Sequence, residues 1–166
     1  MPTKIHDTAL QRRALLGKKR WEKIFSFSVV RNPYDKVGSH YRYRLKTNQT
    51  GLAETKISLS EWVCRSYGDQ DPKYYDQPLM FAPCTTWLID EDGKIIVDFV
   101  GKLESISKDW ETIKRRLNLE VDLPKHNATS SDNVFQNELS PEAEQIIESH
   151  FEEDFERFGY EIRKTE

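Results

Sequence analysis

An α/β fold is what this chain predicts, and three observations predict it. An apolar run, Phe25 to Val30, leads straight into a helical pattern through Arg31-Asn32-Pro33. The dipeptide Asp92-Gly93 separates two further apolar runs, as in a β-hairpin, and capped amphipathic segments flank both features. At 166 residues, without internal repeats, low-complexity tracts or a visible linker, residues 1–166 read most simply as one domain.

Taken in order, residues 7–16 suit a helix capped by Asp7 and stopped at Gly17. A second helical turn, Lys18 to Ile24, carries Trp21 inward and leads to the strand. Asn32 is a good N-cap and Pro33 suits the first helical position, where its missing N–H costs nothing. At 100° per residue Tyr34, Val37, Tyr41 and Leu45 share one face, with Lys36, Ser39, Arg42, Tyr43 and Lys46 opposite. One face packs; the other either holds an anion or is a solvated basic stripe. Arg31 stands at the strand end beside the helix N-terminus, where the macrodipole and free N–H groups also favour negative charge.

The polar stretch KTNQTGLAETK predicts an exposed, mobile loop. Ser58 and Glu61 have capping-box spacing for a helix through Trp62, Val63 and Tyr67 that stops at Gly68. Tyr74 and Tyr75, in a surface connection, either stack on a ligand or cover the core edge. Thr85 to Asp90 and Lys94 to Val100 predict the arms of an antiparallel hairpin. A helix from Ser105 or Ser107 follows and ends in Lys114, Arg115 and Arg116, which suit either its negative dipole end or a ligand. Residues 118–139 read as loop. Ser140-Pro141-Glu142 opens a final helix with Ile146, Ile147, Phe151, Phe155 and Phe158 inward and Gly159 as its stop.

Charge divides along the chain. Residues 1–47 hold 12 Lys/Arg against 3 Asp/Glu, and residues 48–166 hold 13 against 25. The acidic remainder would repel a long polyanion, so the basic third suits a small anionic ligand better than nucleic acid. Two cysteines, Cys64 and Cys84, are too few for a disulfide framework and read as free thiols. No HExxH, paired CxxC, GxSxG or GxGxxG occurs, and His6, His40, His126 and His150 lack ligand spacing, so no metal is expected. No run approaches the roughly 20 apolar residues of a membrane span, and the N-terminus lacks a signal-peptide apolar core. These absences predict a cytoplasmic chain with no membrane association. The sequon Asn127-Ala128-Thr129 therefore means little.

The segment FSFSVVRNPYDKVGSHYRYR resembles the 3′-phosphate-binding segment of sulfotransferases that use 3′-phosphoadenosine 5′-phosphosulfate, particularly the Golgi carbohydrate sulfotransferases and their bacterial relatives. Arg31, Asn32, Pro33, Asp35 and Ser39 match the family pattern, and Lys36 replaces its second Arg. WLIDEDGKIIVDFVGKLESISKDWETIKRRLNL is similar to the family's hairpin, Gly-Arg-x-Glu turn and following helix, with Lys102 in place of Arg. The ending, with Asp-Phe-x-x-Phe-Gly-Tyr, also fits, so the resemblance runs in order from about residue 20 to the C-terminus.

What the resemblance implies is a P-loop-kinase-like sulfotransferase fold with an incomplete parallel sheet, a β-hairpin and flanking helices. Arg31 and Ser39 would hold the 3′-phosphate, Lys36 would contribute to binding the nucleotide, and Gly101 and Lys102 would approach the same nucleotide. The sulfonate would pass from the phosphosulfate co-substrate to a hydroxyl of a carbohydrate, with no metal required. His6 corresponds loosely to a family base and otherwise reads as a capping or surface residue. His126 reads either as a neighbour of the nucleotide or as a plain loop residue. Family members begin with a strand and a Lys/Gly/Thr-rich loop around the 5′-phosphosulfate, of which Pro2-Thr3-Lys4 is a faint echo. The expectation is thus a domain without that strand and loop, whether a fragment, a chain completed by another, or one that has lost catalysis. The rival expectation is an inactive nucleotide-binding or interaction module, with a homodimer covering the open sheet edge.

Overall fold

Hydrogen-bonding side chains set the starts of four of the helices described below. The protein is described by a computed structural model over residues 6–123 and 138–163. Its elements are α1 (Ala9–Leu16), α2 (Lys18–Trp21), β1 (Phe27–Val30), α3 (Pro33–Lys46), a 3-10 turn at Gln49–Gly51, α4 (Leu52–Thr55), α5 (Leu59–Val63) and a π turn at Cys64–Gly68. They continue with α6 (Pro78–Phe81), α7 (Cys84–Leu88), β2 (Phe99–Lys102), a 3-10 turn at Leu103–Ser105, α8 (Ile106–Leu117), α9 (Pro141–His150) and α10 (Glu152–Phe158). Mixed α/β is thereby observed, with a two-stranded parallel sheet and many helices.

Asn32 caps α3 as expected, its Oδ1 accepting from Tyr34 N at 3.0 Å. Ser58 and Ser140 cap α5 and α9 in the same way. At α1 the cap is Thr8 rather than Asp7. Thr8 Oγ1 accepts from Gln11 N while Gln11 Oε1 accepts from Thr8 N, a reciprocal box, and Asp7 pairs with Arg12 instead.

Contacts gather the chain into two compact units: Met1–Arg31 with Cys84–Ala128, and Asn32–Pro83 with Thr129–Glu166. In the first, β1 pairs with β2 in parallel, Phe27 opposite Phe99 and Val30 opposite Lys102. The strand begins two residues later than the apolar run because Ser26 is pinned beforehand. Asp98 Oδ2 accepts from Ser26 N at 2.8 Å and from Ser26 Oγ at 2.7 Å. Helix α8 packs on β2 through buried Ile113, α1 packs on α7, and Trp21 Nε1 donates to the Ile96 carbonyl.

The expected hairpin is corrected. Only the single antiparallel bridge Ile89–Ile95 remains of it, closed by a turn with Gly93 at φ 74°. Its first arm is α7: Thr85 and Leu88 are buried at a spacing of three, a helical period that the β-branched Thr85-Thr86 disguises. The second arm turns away to pair with β1.

The second unit has its core where α3, α5 and α9 meet, around Tyr34, Val37, Trp62, Val63, Ile147 and Phe151. Tyr41 and Leu45 pack half-buried against it, so the apolar face of α3 is the expected one. Tyr74 is buried and Tyr75 packs on the core, which makes both part of the core edge. The stretch expected as an exposed loop after α3 instead folds into the 3-10 turn and α4, because Leu52 inserts into the core and is fully buried. The last helix is two helices, broken at Phe151 (φ −110°, ψ 20°) and stopped by Gly159 in the left-handed region.

Candidate functional site

In the first unit the parallel register builds one edge of chemistry. Val30 stands opposite Lys102, so Arg31 follows one residue beyond that pair at the carboxyl ends of both strands. Gly101 is buried beside Val29's position in the ladder. A Cβ there would lie 3.2 Å from Asp109 Cβ and 3.4 Å from Phe99 Cε1, so this backbone passes close under α8, and a side chain would fit only if these neighbours gave way by a few tenths of an ångström. The register therefore brings together three of the expected residues, Arg31, Gly101 and Lys102.

Asp109 fixes the way β2 leaves the sheet. Its Oδ2 accepts from Lys102 N at 2.7 Å and from Ser105 Oγ at 2.7 Å. Those two bonds, the backbone N–H first, hold its carboxyl below the usual carboxylate range. Asp98 is lowered in the same way by the Ser26 N–H and hydroxyl. Neither aspartate stood out in the sequence: Asp98 lies just before β2 in an otherwise apolar run, and Asp109, in the first turn of α8, reads as ordinary dipole chemistry. At the other end of α8, Lys114 pairs with Glu111 and Asp122, and the Arg116 guanidinium lies 5.6 Å from the Phe25 ring centroid.

Helix α3 belongs to the second unit and carries Ser39, half-buried, and Lys36. Lys36 leaves the outward basic face assigned to it. Its Nζ donates to the Ala82 carbonyl at 2.6 Å and lies 4.8 Å from the Phe151 ring centroid. With His40 and Arg44 it forms an i, i+4, i+8 row, and Arg44, 1% exposed, pairs with Asp76 at 2.8 Å. His40 Nδ1 lies 3.3 Å from Tyr67 Oη, and His150 Nε2 lies 3.0 Å from the Phe81 carbonyl oxygen. Burial first, then the charges of Arg44 and Lys36, push His40 down to about 4. Burial also lowers His150, against the Phe81 carbonyl. The spacing of Lys36, His40 and Arg44 was open to view in the sequence and is the signal that marks this row.

His6 is exposed, in the first unit, ahead of α1. His126 and the sequon lie outside the described residues. Among the described residues, no three His, Cys, Asp or Glu side chains gather as metal ligands would, and no helix is long and apolar enough to cross a membrane.

A family model for the Sulfotransferase family matches residues 3–161, and the chain belongs to that family. An uncharacterized protein of Archaeoglobus fulgidus is 26% identical over 121 residues, which cover 72% of this chain and 89% of that relative. No solved structure matches the chain.

Proposed function

We propose that this chain binds 3′-phosphoadenosine 5′-phosphosulfate and transfers its sulfonate to a hydroxyl of a carbohydrate, on a P-loop-kinase-like sulfotransferase fold. Family membership supports sulfonate transfer in general. The observation that carries the nucleotide reading is the register of β1 and β2, which sets Arg31 one residue past the Val30–Lys102 pair. Ligands of open α/β sheets sit beyond the carboxyl ends of the strands, and a guanidinium there can take a phosphate by two parallel charge-assisted bonds. Gly101 lets the backbone run close beneath α8, so Lys102 is delivered at the same edge.

Ser39 enters by the family pattern as a further donor to the 3′-phosphate. Lys36 enters in the same way, with its amine already bonded to the Ala82 carbonyl, so its share is the smaller one. In the transfer itself the acceptor oxygen forms a bond to sulfur as the bond from sulfur to the 5′-phosphate oxygen breaks. The acceptor proton goes to a base, for which His6 is the proposed residue, and 3′-phosphoadenosine 5′-phosphate leaves. Arginine and lysine side chains at the sheet edge favour the anionic product as well as the donor.

Calorimetric titration with 3′-phosphoadenosine 5′-phosphate tests the reading. The wild-type chain should bind, and Arg31→Ala should weaken binding by roughly 1.5–3 kcal/mol, the range for a hydrogen bond to a charged group. No binding by the wild type, or equal binding by the variant, overturns it.

A further inference from the structure

The first turn of α3 is fastened from outside by the segment that follows α10. Tyr34, 1% exposed, donates its hydroxyl to Glu148 Oε1 on α9 at 2.6 Å. The same oxygen accepts from the backbone N–H of Arg163 at 3.2 Å. The Arg163 guanidinium lies 4.1 Å from the Tyr34 ring centroid and pairs with Glu144 at 2.8 Å, one turn before Glu148 on α9. Asn32 meanwhile holds the Tyr34 backbone N–H. Both the main chain and the side chain of this residue are thus fixed.

Packing alone does not require this arrangement. A phenylalanine would fill the same volume, and a buried hydroxyl is tolerated only when its partners are in place. Two glutamates one helical turn apart would repel each other; Arg163 and the phenol separate their roles, one neutralised as an ion pair and the other taking the hydroxyl. Burial and Glu148 raise the Tyr34 pKa, so the phenol keeps the proton it donates.

We propose that Tyr34, Glu148 and Arg163 form a positioning latch that sets the first turn of α3, and with it the Ser39 hydroxyl, for recognition of the nucleotide 3′-phosphate. This rests on the nucleotide reading given above. None of the three residues touches the ligand; they act through the helix. The substrate feature they govern is the 3′-phosphate, not the adenosine or the 5′ group.

The test compares affinities for 3′-phosphoadenosine 5′-phosphate and adenosine 5′-phosphate, which differ only in that phosphate. Titrations use the full chain, Tyr34→Phe, Arg163→Ala and Arg163→Lys, each with its thermal midpoint measured by circular dichroism. The wild type should prefer the 3′-phosphorylated nucleotide, and Tyr34→Phe and Arg163→Ala should each cut that preference by roughly fivefold to tenfold. Arg163→Lys, which keeps a cation for Glu144 and the ring, should recover part of it. A purely structural role would lower the midpoint and leave the ratio of affinities alone. If the wild type has the preference and both folded variants keep it, the latch is overturned while the nucleotide reading stands. A wild type without the preference overturns both.

Discussion

One oxygen atom, Oδ2 of Asp109, receives both the Lys102 N–H and the Ser105 hydroxyl and so decides the direction in which β2 leaves the sheet. Asp109→Ala would leave two half-buried donors without that acceptor, and should destabilise the protein by about 1–3 kcal/mol in urea unfolding. Asp109→Asn keeps one acceptor oxygen and should cost less. Gly101→Ala acts on the same contact from the other side. Its methyl group would enter at 3.2 Å from Asp109 Cβ, which calls for a shift of α8 or β2, so a loss of stability should accompany a loss of nucleotide affinity. Gly101 and Lys102 were legible because a pattern of sequence marks them. Asp109, seven residues beyond Lys102, was not, because its role exists only once α8 folds back over the strand.

For an element, α3 is the case in which local chemistry was most informative. Asn32, Pro33 and the Tyr34–Val37–Tyr41–Leu45 face are all statements about neighbours within a turn or two, and all of them hold. Asn32→Ala should therefore cost about 1 kcal/mol in unfolding free energy, and Asn32→Ser or Asn32→Asp should recover most of it. The other face was legible only in part. A helical wheel cannot tell that the Ala82 carbonyl waits for Lys36 or that Asp76 waits for Arg44, since both partners arrive from a connection with no period of its own. The hairpin failed for the same reason in reverse. Thr85-Thr86-Trp87-Leu88 has strand composition, and packing against α1 makes it helical.

Across the whole molecule, each unit is assembled from two separated stretches, and β1 reaches its parallel partner only after the chain between residues 31 and 98 has been laid down. Sequence order reveals such a crossover poorly, which is why the sheet was expected but the strand that pairs with β1 was not. The acid response of the protein follows from its two kinds of shifted groups. His40 titrates at about 4 when folded, against about 6.5 in an unfolded chain. Between those values the unfolded state binds a proton that the native state refuses, so stability rises with pH through this window and is complete above it. His150, also lowered, adds to the slope in the same direction. Asp98 and Asp109 are lowered carboxyls, and their contribution is present above about 3.9 and lost as the pH falls further, a separate and more acidic step. Urea midpoints should therefore fall steadily from pH 7 to pH 4.5, well before the carboxylates are protonated. His40→Gln should flatten that decline while leaving the steeper loss below pH 4 in place. A wild-type midpoint that does not change between pH 7 and pH 4.5 would mean that the His40 ring is charged or hydrated in the folded protein, and that its place between Tyr67 and Phe81 is not the one given by the 3.3 Å contact and the 4.7 Å ring separation.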